Sequence, residues 1–410
     1  MDGVHIMLSC RGRFLVGALF ASACLALPQP LHAQPLHQQQ TKPELRIGAV
    51  LAASGGAASI GTPERNAVAL LQERYADADL PFTVKIIIYD DASDPTKTTS
   101  AVRRLVQEDK VDLVICCTTT PSSAAILETL TASGTPAITL AAAASAVEPA
   151  ASHHEIFKTS ATDRLMVARM LQEVGVLGAK RLAVLFADDS YGDSGLSALQ
   201  GLLPSQSAQL VATERVARND TNFTPQALRV RQANPDVVYI HTYTPACNLV
   251  QEALRRVGYT GPIIQSQGAA STAFLNLGGK AIDGTIVTVA PVLLHDQLPA
   301  GDKMKGALDA FVRLYDAKFG AGKADTYSAM GWDPVNLAVT VFGDMVRKGV
   351  DVSDLAATRQ GLRDGIEATR DYVGVSGVFN FTPTDHVGLS PQGAVLLSTV
   401  RDGRFVLLSN

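Results

Sequence analysis

The 410 residues carry 47% apolar and 18% charged side chains at a formal net charge of −4, a balance that describes a folded chain long enough for two domains. With no Lys/Arg-rich run, neither a nucleic-acid footprint nor a basic membrane-adhering helix is expected. The partner to expect is a small solute or another protein.

Arg11 and Arg13 precede an apolar core from Phe14 to Leu27 and a small-residue site at Leu31-His32-Ala33. This reads as a signal peptide over 1–33, cleaved near Ala33, and predicts a periplasmic protein. The apolar core is shorter than the roughly 20 residues of a spanning helix. Lipidation at Cys24 is the weaker alternative, because Ala21-Ser22-Ala23 lacks the usual Leu three positions before the cysteine. Cys10 and Cys24 leave with this segment. The remaining Cys116, Cys117 and Cys247 are too few for a disulfide framework, and no Cys or His spacing suits a metal. Adjacent cysteines at a strand end face opposite sides, so Cys116 and Cys117 read as small buried apolar side chains.

From Leu45 onward, apolar strand candidates alternate with helix-period segments. Leu45 to Leu51 precedes a Gly-rich loop and a helix from Pro63 to Tyr75 that turns Ala67, Leu70 and Leu71 inward. Thr83 to Tyr89 precedes a helix burying Val102, Leu105 and Val106, and Val111 to Cys116 and Pro136 to Leu140 continue the series. A second series has strands at Arg181 to Phe186, Gln209 to Thr213, Val237 to Ile240, Pro262 to Gln265 and Thr285 to Val289. The pattern is that of two parallel-sheet α/β units. Asp302 to Gly349 reads as mostly helical with a start or kink at Pro334. Gly377 to Phe381, Ala394 to Val400 and Arg404 to Leu408 read as closing strands.

Five pairs, Thr62-Pro63, Asp94-Pro95, Thr120-Pro121, Thr224-Pro225 and Thr244-Pro245, each suggest a capping side chain before a proline at a helix start. Such helix starts lie beside strand ends, where open α/β sheets bind ligands. The run from Val111 to Ala125 is the most telling, because a strand ends in Thr118, Thr119, Ser122 and Ser123 at a helix N-terminus. Unpaired backbone N–H groups and neutral hydroxyls there make an anion cradle.

No catalytic constellation emerges, so an enzyme is not expected. Gly55 to Gly61 lacks the Gly-Lys-Ser/Thr ending of a phosphate loop, and Gly192-Asp193-Ser194-Gly195 lacks the spacing of a nucleophile elbow. His153-His154-Glu155 reads as a solvated loop rather than a metal site. His241, beside Tyr243 at a strand end, is a candidate site-lining residue.

Several motifs coincide in order: Ser54-Gly55-Gly56 to Gly61, Tyr89-Asp90-Asp91, the hydroxyl loop at Thr118, Ile138-Thr139-Leu140-Ala141-Ala142, Phe157-Lys158-Thr159-Ser160, Asp188-Asp189-Ser190-Tyr191-Gly192 and Asn234-Pro235-Asp236. From Leu45 to the end the sequence resembles the periplasmic branched-chain amino-acid (Leu/Ile/Val) binding proteins that serve ABC importers. The resemblance implies a type I periplasmic-binding-protein fold of class α/β, in which two doubly wound parallel-sheet lobes are joined by a three-crossing hinge. Lobe 1 is expected over 44–162 plus 290–371, and lobe 2 over 163–289 plus 372–410.

It implies, too, that a solute carboxylate is held by Thr118 with Thr119 and by Ala141, Ala142 and Ala143, while Asp163 reaches the solute ammonium. Tyr191, Tyr243 and Tyr327 would wall the pocket. Read on its own, Asp163 sits equally well as the cap of a helix from Arg164 to Val174. The sequence departs from the family at several places. Gln267 stands where amino-acid binders place a glutamate on the ammonium, removing a contact worth about one to two decades in affinity. Ala143 replaces a hydroxyl and Ile60 an aromatic wall residue, and Ser93 replaces the partner that Cys117 would need for the family's first-lobe disulfide.

The function these residues imply is capture of a small carboxylate-bearing solute for delivery to an ABC permease in the inner membrane. No cofactor or metal is called for, and a monomer is expected. The solute is an amino acid or an aromatic or fatty-type organic acid without an ammonium. A ligand-sensing receptor on the same fold, and an exported α/β enzyme, are the readings from other classes.

Overall fold

A computed structural model describes residues 42–408. Residues 1–33, expected to be a signal peptide, with Cys10, Cys24 and the expected cleavage site near Ala33, lie outside the described residues.

The first strand, β1 (Glu44–Leu51), leads into helix α1 (Ala58–Ala76). β2 (Thr83–Asp90) and α2 (Pro95–Gln107), β3 (Leu113–Cys116) and α3 (Thr120–Ser133), β4 (Ala137–Thr139) and β5 (Ile156–Lys158) follow. The five strands form one parallel sheet in the order β2-β1-β3-β4-β5, with Ile47 opposite Ile86 on one side and Leu113 on the other. The chain then passes through α4 (Asp163–Val176) into β6 (Arg181–Ala187), α5 (Ser190–Leu202), β7 (Gln209–Val216), α6 (Thr224–Gln232), β8 (Val237–His241), α7 (Ala246–Arg256), β9 (Ile263–Gln265), α8 (Thr272–Gly278) and β10 (Ile286–Val289). The fold is two α/β halves, each built on a parallel sheet.

Three long helices return to the first half: α9 (Lys305–Phe319), α10 (Thr326–Arg347) and α11 (Leu355–Glu367). Leu337, Phe342 and Leu362 pack with Val50, Leu71, Leu105 and Ile126 in one core. After β11 (Tyr372–Val373), β12 (Val378–Phe379) and α12 (Pro391–Ala394), the strands β13 (Leu396–Arg401) and β14 (Arg404–Leu407) add antiparallel to β10 and complete the seven-stranded order β14-β13-β10-β9-β8-β6-β7. The second sheet is buried on both faces, by Leu185, Ile240, Leu254 and Phe274 on one and by Val167, Met170, Tyr239 and Ile264 on the other. Continuous apolar strands are what two-sided burial requires.

The structure departs from the sequence reading in its boundaries. The last return to the second half falls near 395, not 372: Phe379, Phe381, Val387 and Leu389 join the first core, and the Lys158 N–H donates to the His386 carbonyl at 3.0 Å. α1 begins at Ala58, a turn before Pro63, and Thr62 donates its hydroxyl to the Ala53 carbonyl rather than capping. α10 runs through Pro334 as one helix. Of the five expected caps, only Asp94 accepts as written, from the Thr96 N–H at 2.8 Å. At α3 the cap is Thr119; α6 has Phe223 and α7 has Pro245 at the cap position. Proline marks the first turn of a helix but leaves its first residue open by a position or two.

Candidate functional site

The ends of β1 and β3 meet at Thr118, whose Oγ1 accepts the Ala52 N–H at 3.0 Å. Just before it, Cys116 and Cys117 form a disulfide with each other, which corrects their reading as separate small side chains. Cys117 lies one residue past the strand, where strand alternation no longer holds. Both residues are fully buried. Ser93 instead accepts the Ala57 N–H at 2.9 Å and donates to the Ser54 carbonyl at 2.8 Å, holding the loop ahead of α1.

The hydroxyl cluster divides. Thr119 caps α3 through the Ser122 N–H, Ser122 donates to Asp91 Oδ2 at 3.2 Å, and Ser123 pairs with Thr139 at 2.8 Å, so these three belong to the packing behind the helix start. Thr120 alone turns a partnerless, buried Oγ1 forward. It faces a cavity of about 40 Å³ lined by Ile60, Glu64, Thr118, Leu140, Ala142 and Met166 with Tyr191, Tyr243, Gln267, Gly268, Tyr327 and Met330.

Of the residues expected at the site, Thr118, Ala142, Tyr191, Tyr243, Gln267 and Tyr327 line this cavity; Thr119, Ala141, Ala143 and Asp163 do not. The Ala141 N–H is taken by Thr139 Oγ1 at 3.3 Å and its carbonyl by the Ser160 hydroxyl at 3.2 Å, so it has no donor to offer a solute.

Glu64 was not foreseen. It stands on the stripe of α1 that also buries Ala67 and Leu71, and a carboxylate on a buried face was the available signal. Thr118 donates its hydroxyl hydrogen to Glu64 Oε2 at 2.5 Å, while Oε1 is buried without a partner. Burial pushes the Glu64 carboxyl well above its usual range. The Thr118 hydrogen bond opposes this, and the nearby carboxyls of Asp91 and Asp325 add to it. The Thr118 hydroxyl, expected to hold the solute, is therefore spent on Glu64.

The second half contributes rings. Asp189 caps α5 by accepting the Tyr191 and Gly192 N–H groups, which sets Tyr191 at the cavity edge, where its hydroxyl donates to Ser266 Oγ at 3.0 Å. The Arg218 guanidinium lies 4.4 Å over the Tyr243 ring and pairs with Asp189 at 3.0 Å, bracing that wall from outside, while the Tyr243 hydroxyl has no partner. Between the halves, Tyr327 donates to the Gln267 carbonyl at 2.9 Å, and Ser59 donates to the Thr244 carbonyl at 3.2 Å.

Asp163 neither caps its helix nor reaches the cavity. Thr162 is the cap, accepting the Leu165 N–H at 3.2 Å, and Asp163 is buried with Oδ1 3.4 Å from His241 Nε2. His241 sits behind the cavity wall, its ring 4.1 Å from that of Tyr191 and its Nδ1 2.8 Å from the Tyr239 hydroxyl. Lys158, also fully buried, donates to Ser160; burial lowers its ammonium to about 7 and the Asp163 carboxylate opposes that shift. Among the described residues no group of His, Cys, Asp and Glu side chains is placed to hold a metal ion.

The family model described as periplasmic binding protein matches residues 44–403. The chain belongs to the periplasmic binding protein family. Its relatives bear out the resemblance drawn from the motifs to the branched-chain amino-acid binders. The Leu/Ile/Val-binding protein of Escherichia coli K12 is 26% identical over 296 residues, which is 70% of this chain and 77% of that one. An extracellular ligand-binding receptor from Rhodopseudomonas palustris superimposes with a TM-score of 0.83 at 29% identity, over 90% of this chain and all of that one. The LivJ substrate-binding protein of Streptococcus pneumoniae, in complex with isoleucine, shares the fold at a TM-score of 0.75 and 19% identity over 88% of this chain and 97% of that one. Each of these relatives is named for what it binds, and this periplasmic binding protein is a binder, not an enzyme.

Proposed function

We propose that this protein is the solute-binding component of an ABC importer, exported to the periplasm with cleavage near Ala33, and that it captures a small carboxylate-bearing solute between its two halves. The cavity carries the reading. One end meets the N-terminus of α3 and the unpartnered Thr120 hydroxyl, which favour an anion, and the rest is walled by Tyr191, Tyr243, Tyr327 and Met330, which favour an apolar body. An amino acid or an aromatic or aliphatic organic acid has that division. The names of the relatives, Leu/Ile/Val-binding proteins, support a small carboxylate-bearing solute of this kind. Capture needs no bond chemistry: the Tyr327–Gln267 and Ser59–Thr244 bonds hold the halves together, and their release at an inner-membrane permease lets the solute go.

The test uses residues 34–410, unfolded and refolded to strip bound solute, with melting temperature read against amino acids paired with their deaminated acids. A hundredfold excess over the dissociation constant stabilises by about 2.7 kcal/mol. Stabilisation by members of either carboxylate class is the expected result. A response only to solutes without a carboxylate, or to none, would overturn the reading.

A further inference from the structure

We propose that Glu64 is the specificity-determining residue of the cavity: held as a neutral carboxylic acid, it donates a hydrogen bond from Oε1 to the carboxylate of a solute that carries no ammonium. This rests on the proposed function and narrows it to one class of solute.

The argument begins with the single hydrogen of Thr118. Its Oγ1 already accepts the Ala52 N–H, and the hydroxyl hydrogen goes to Glu64 Oε2. With Oε2 engaged by the Thr118 hydroxyl, Oε1 is the carboxyl oxygen left free to meet a solute. Oε1 is buried, has no protein partner and belongs to a side chain lining the cavity. No Lys, Arg or His lines the same cavity, while Asp91 and Asp325 lie near enough to disfavour a further negative charge. An ionised Glu64 would be a desolvated charge with no counterion, the costliest state a buried carboxyl can adopt.

In the acid form the cavity presents three hydroxyl donors without partners, Glu64 Oε1, Thr120 Oγ1 and Tyr243 OH, beside the positive end of a fourteen-residue helix. That set matches an anion. An amino acid would bring an ammonium as well, and its partners are missing: Gln267 is a neutral amide, and Asp163 lies outside the cavity against His241.

Glu64→Gln separates the possibilities. Glutamine keeps an oxygen to accept from Thr118 and puts an N–H where the acid has its O–H, so it imitates the neutral form and cannot imitate the ionised one. The probes are 4-methylpentanoate and 3-phenylpropanoate against leucine and phenylalanine, with affinities by calorimetry from pH 6 to 9. The expected result is that the wild type prefers the acids over the amino acids. Its affinity for them declines as pH rises and Glu64 ionises, and E64Q binds them within about threefold of wild type at pH 6 without that decline. A second reading needs no solute. The infrared carbonyl band of a protonated carboxyl should be present in the stripped wild type at pH 7 and reduced in E64Q.

Preference for leucine and phenylalanine, with E64Q losing tenfold or more, would overturn the inference while leaving the solute-binding reading intact, since Glu64 would then be the ionised partner of an ammonium. Binding of no probe by a folded wild type would count against both, and absence of the carbonyl band would refute the acid form by itself.

Discussion

Both halves of the cavity are built by one backbone device and carry opposite chemistry. In the first, Gly61 of α1 lies directly against the backbone of Ala52, the residue after β1; in the second, Gly192 of α5 lies against Ala187, the last residue of β6. Each glycine lets a helix start approach a strand end more closely than a Cβ would permit. What the two approaches deliver differs. The first half presents Glu64, Thr118 and Thr120, a carboxyl and two hydroxyls, together with Tyr327 and Met330 of α10; the second presents two rings, Tyr191 and Tyr243, together with Gln267. The scaffold is thus indifferent to the solute, and recognition divides into a polar half that supplies most of the donors to its charge and an aromatic half that reads its shape and adds one phenol.

The largest expected effect breaks the shared device. In Gly192→Ala the new methyl would fall on the Ala187 carbonyl, with backbone on both sides and no flexible side chain to give way. A loss of about 3 kcal/mol is expected, measured by urea denaturation, with Gly61→Ala costing a similar amount. If either variant retained wild-type stability, close approach would not be what positions the site.

The pH response should be confined to the polar half. Burial pushes the Asp325 carboxyl up to about 7 from a usual 3.8. Between those values the folded chain keeps a proton that the unfolded chain has released. Stability therefore falls as pH rises across that window, by at most about 1.4 kcal/mol per pH unit, and levels off above it. Asp325→Asn keeps the side-chain oxygen that caps α10 through the Tyr327 and Ser328 N–H groups and should reduce this slope in a melting-temperature series from pH 4 to 8, leaving the share of Glu64, Asp112 and Asp333, whose carboxyls burial also raises. The aromatic half adds nothing there, because burial raises the Tyr191 and Tyr243 phenols well above an already basic value.

Next in size is Thr120→Val, which keeps the shape of the side chain and deletes the unpartnered hydroxyl. About a tenfold loss in affinity is expected for every bound acid alike, whatever its body, by titration calorimetry. A loss that varied with the solute's apolar end would mean the polar half reads shape as well.

Much of the fold was legible because strand and helix periods alternate cleanly from Leu45 to Val289, and continuous apolar strands such as Val237–His241 are buried on both faces as that pattern implies. The site was legible to the level of its loops, since strand ends and helix starts must meet there. Finer features depended on facts that period does not encode. Which of Thr119 and Thr120 caps and which faces forward turns on one residue of helix phase, and the Cys116–Cys117 bridge forms just beyond the strand whose alternation was assumed. Glu64 was passed over because a carboxylate in an amphipathic helix is ordinarily a solvated one. Asp163, placed with the solute by resemblance, is diverted to His241 by a cap that falls on Thr162 instead.

The finest test lies within the aromatic half. Tyr191 and Tyr243 stand with ring centroids 4.6 Å apart, yet the first spends its hydroxyl on Ser266 and the second has no partner. Tyr243→Phe removes a donor that only a solute could use. It should weaken binding of the acids by about threefold, at the low end of a neutral hydrogen bond, and leave stability unchanged. Tyr191→Phe removes a bond made wholly within the protein, leaving the buried Ser266 hydroxyl short of a donor, and should lower the melting temperature without a comparable change in affinity. If the two variants exchanged these effects, Tyr191 would be the phenol that meets the solute and the Tyr243 hydroxyl a bystander. The aromatic half would then meet the solute's charge through the ring stacked on His241 rather than through the ring braced by Arg218.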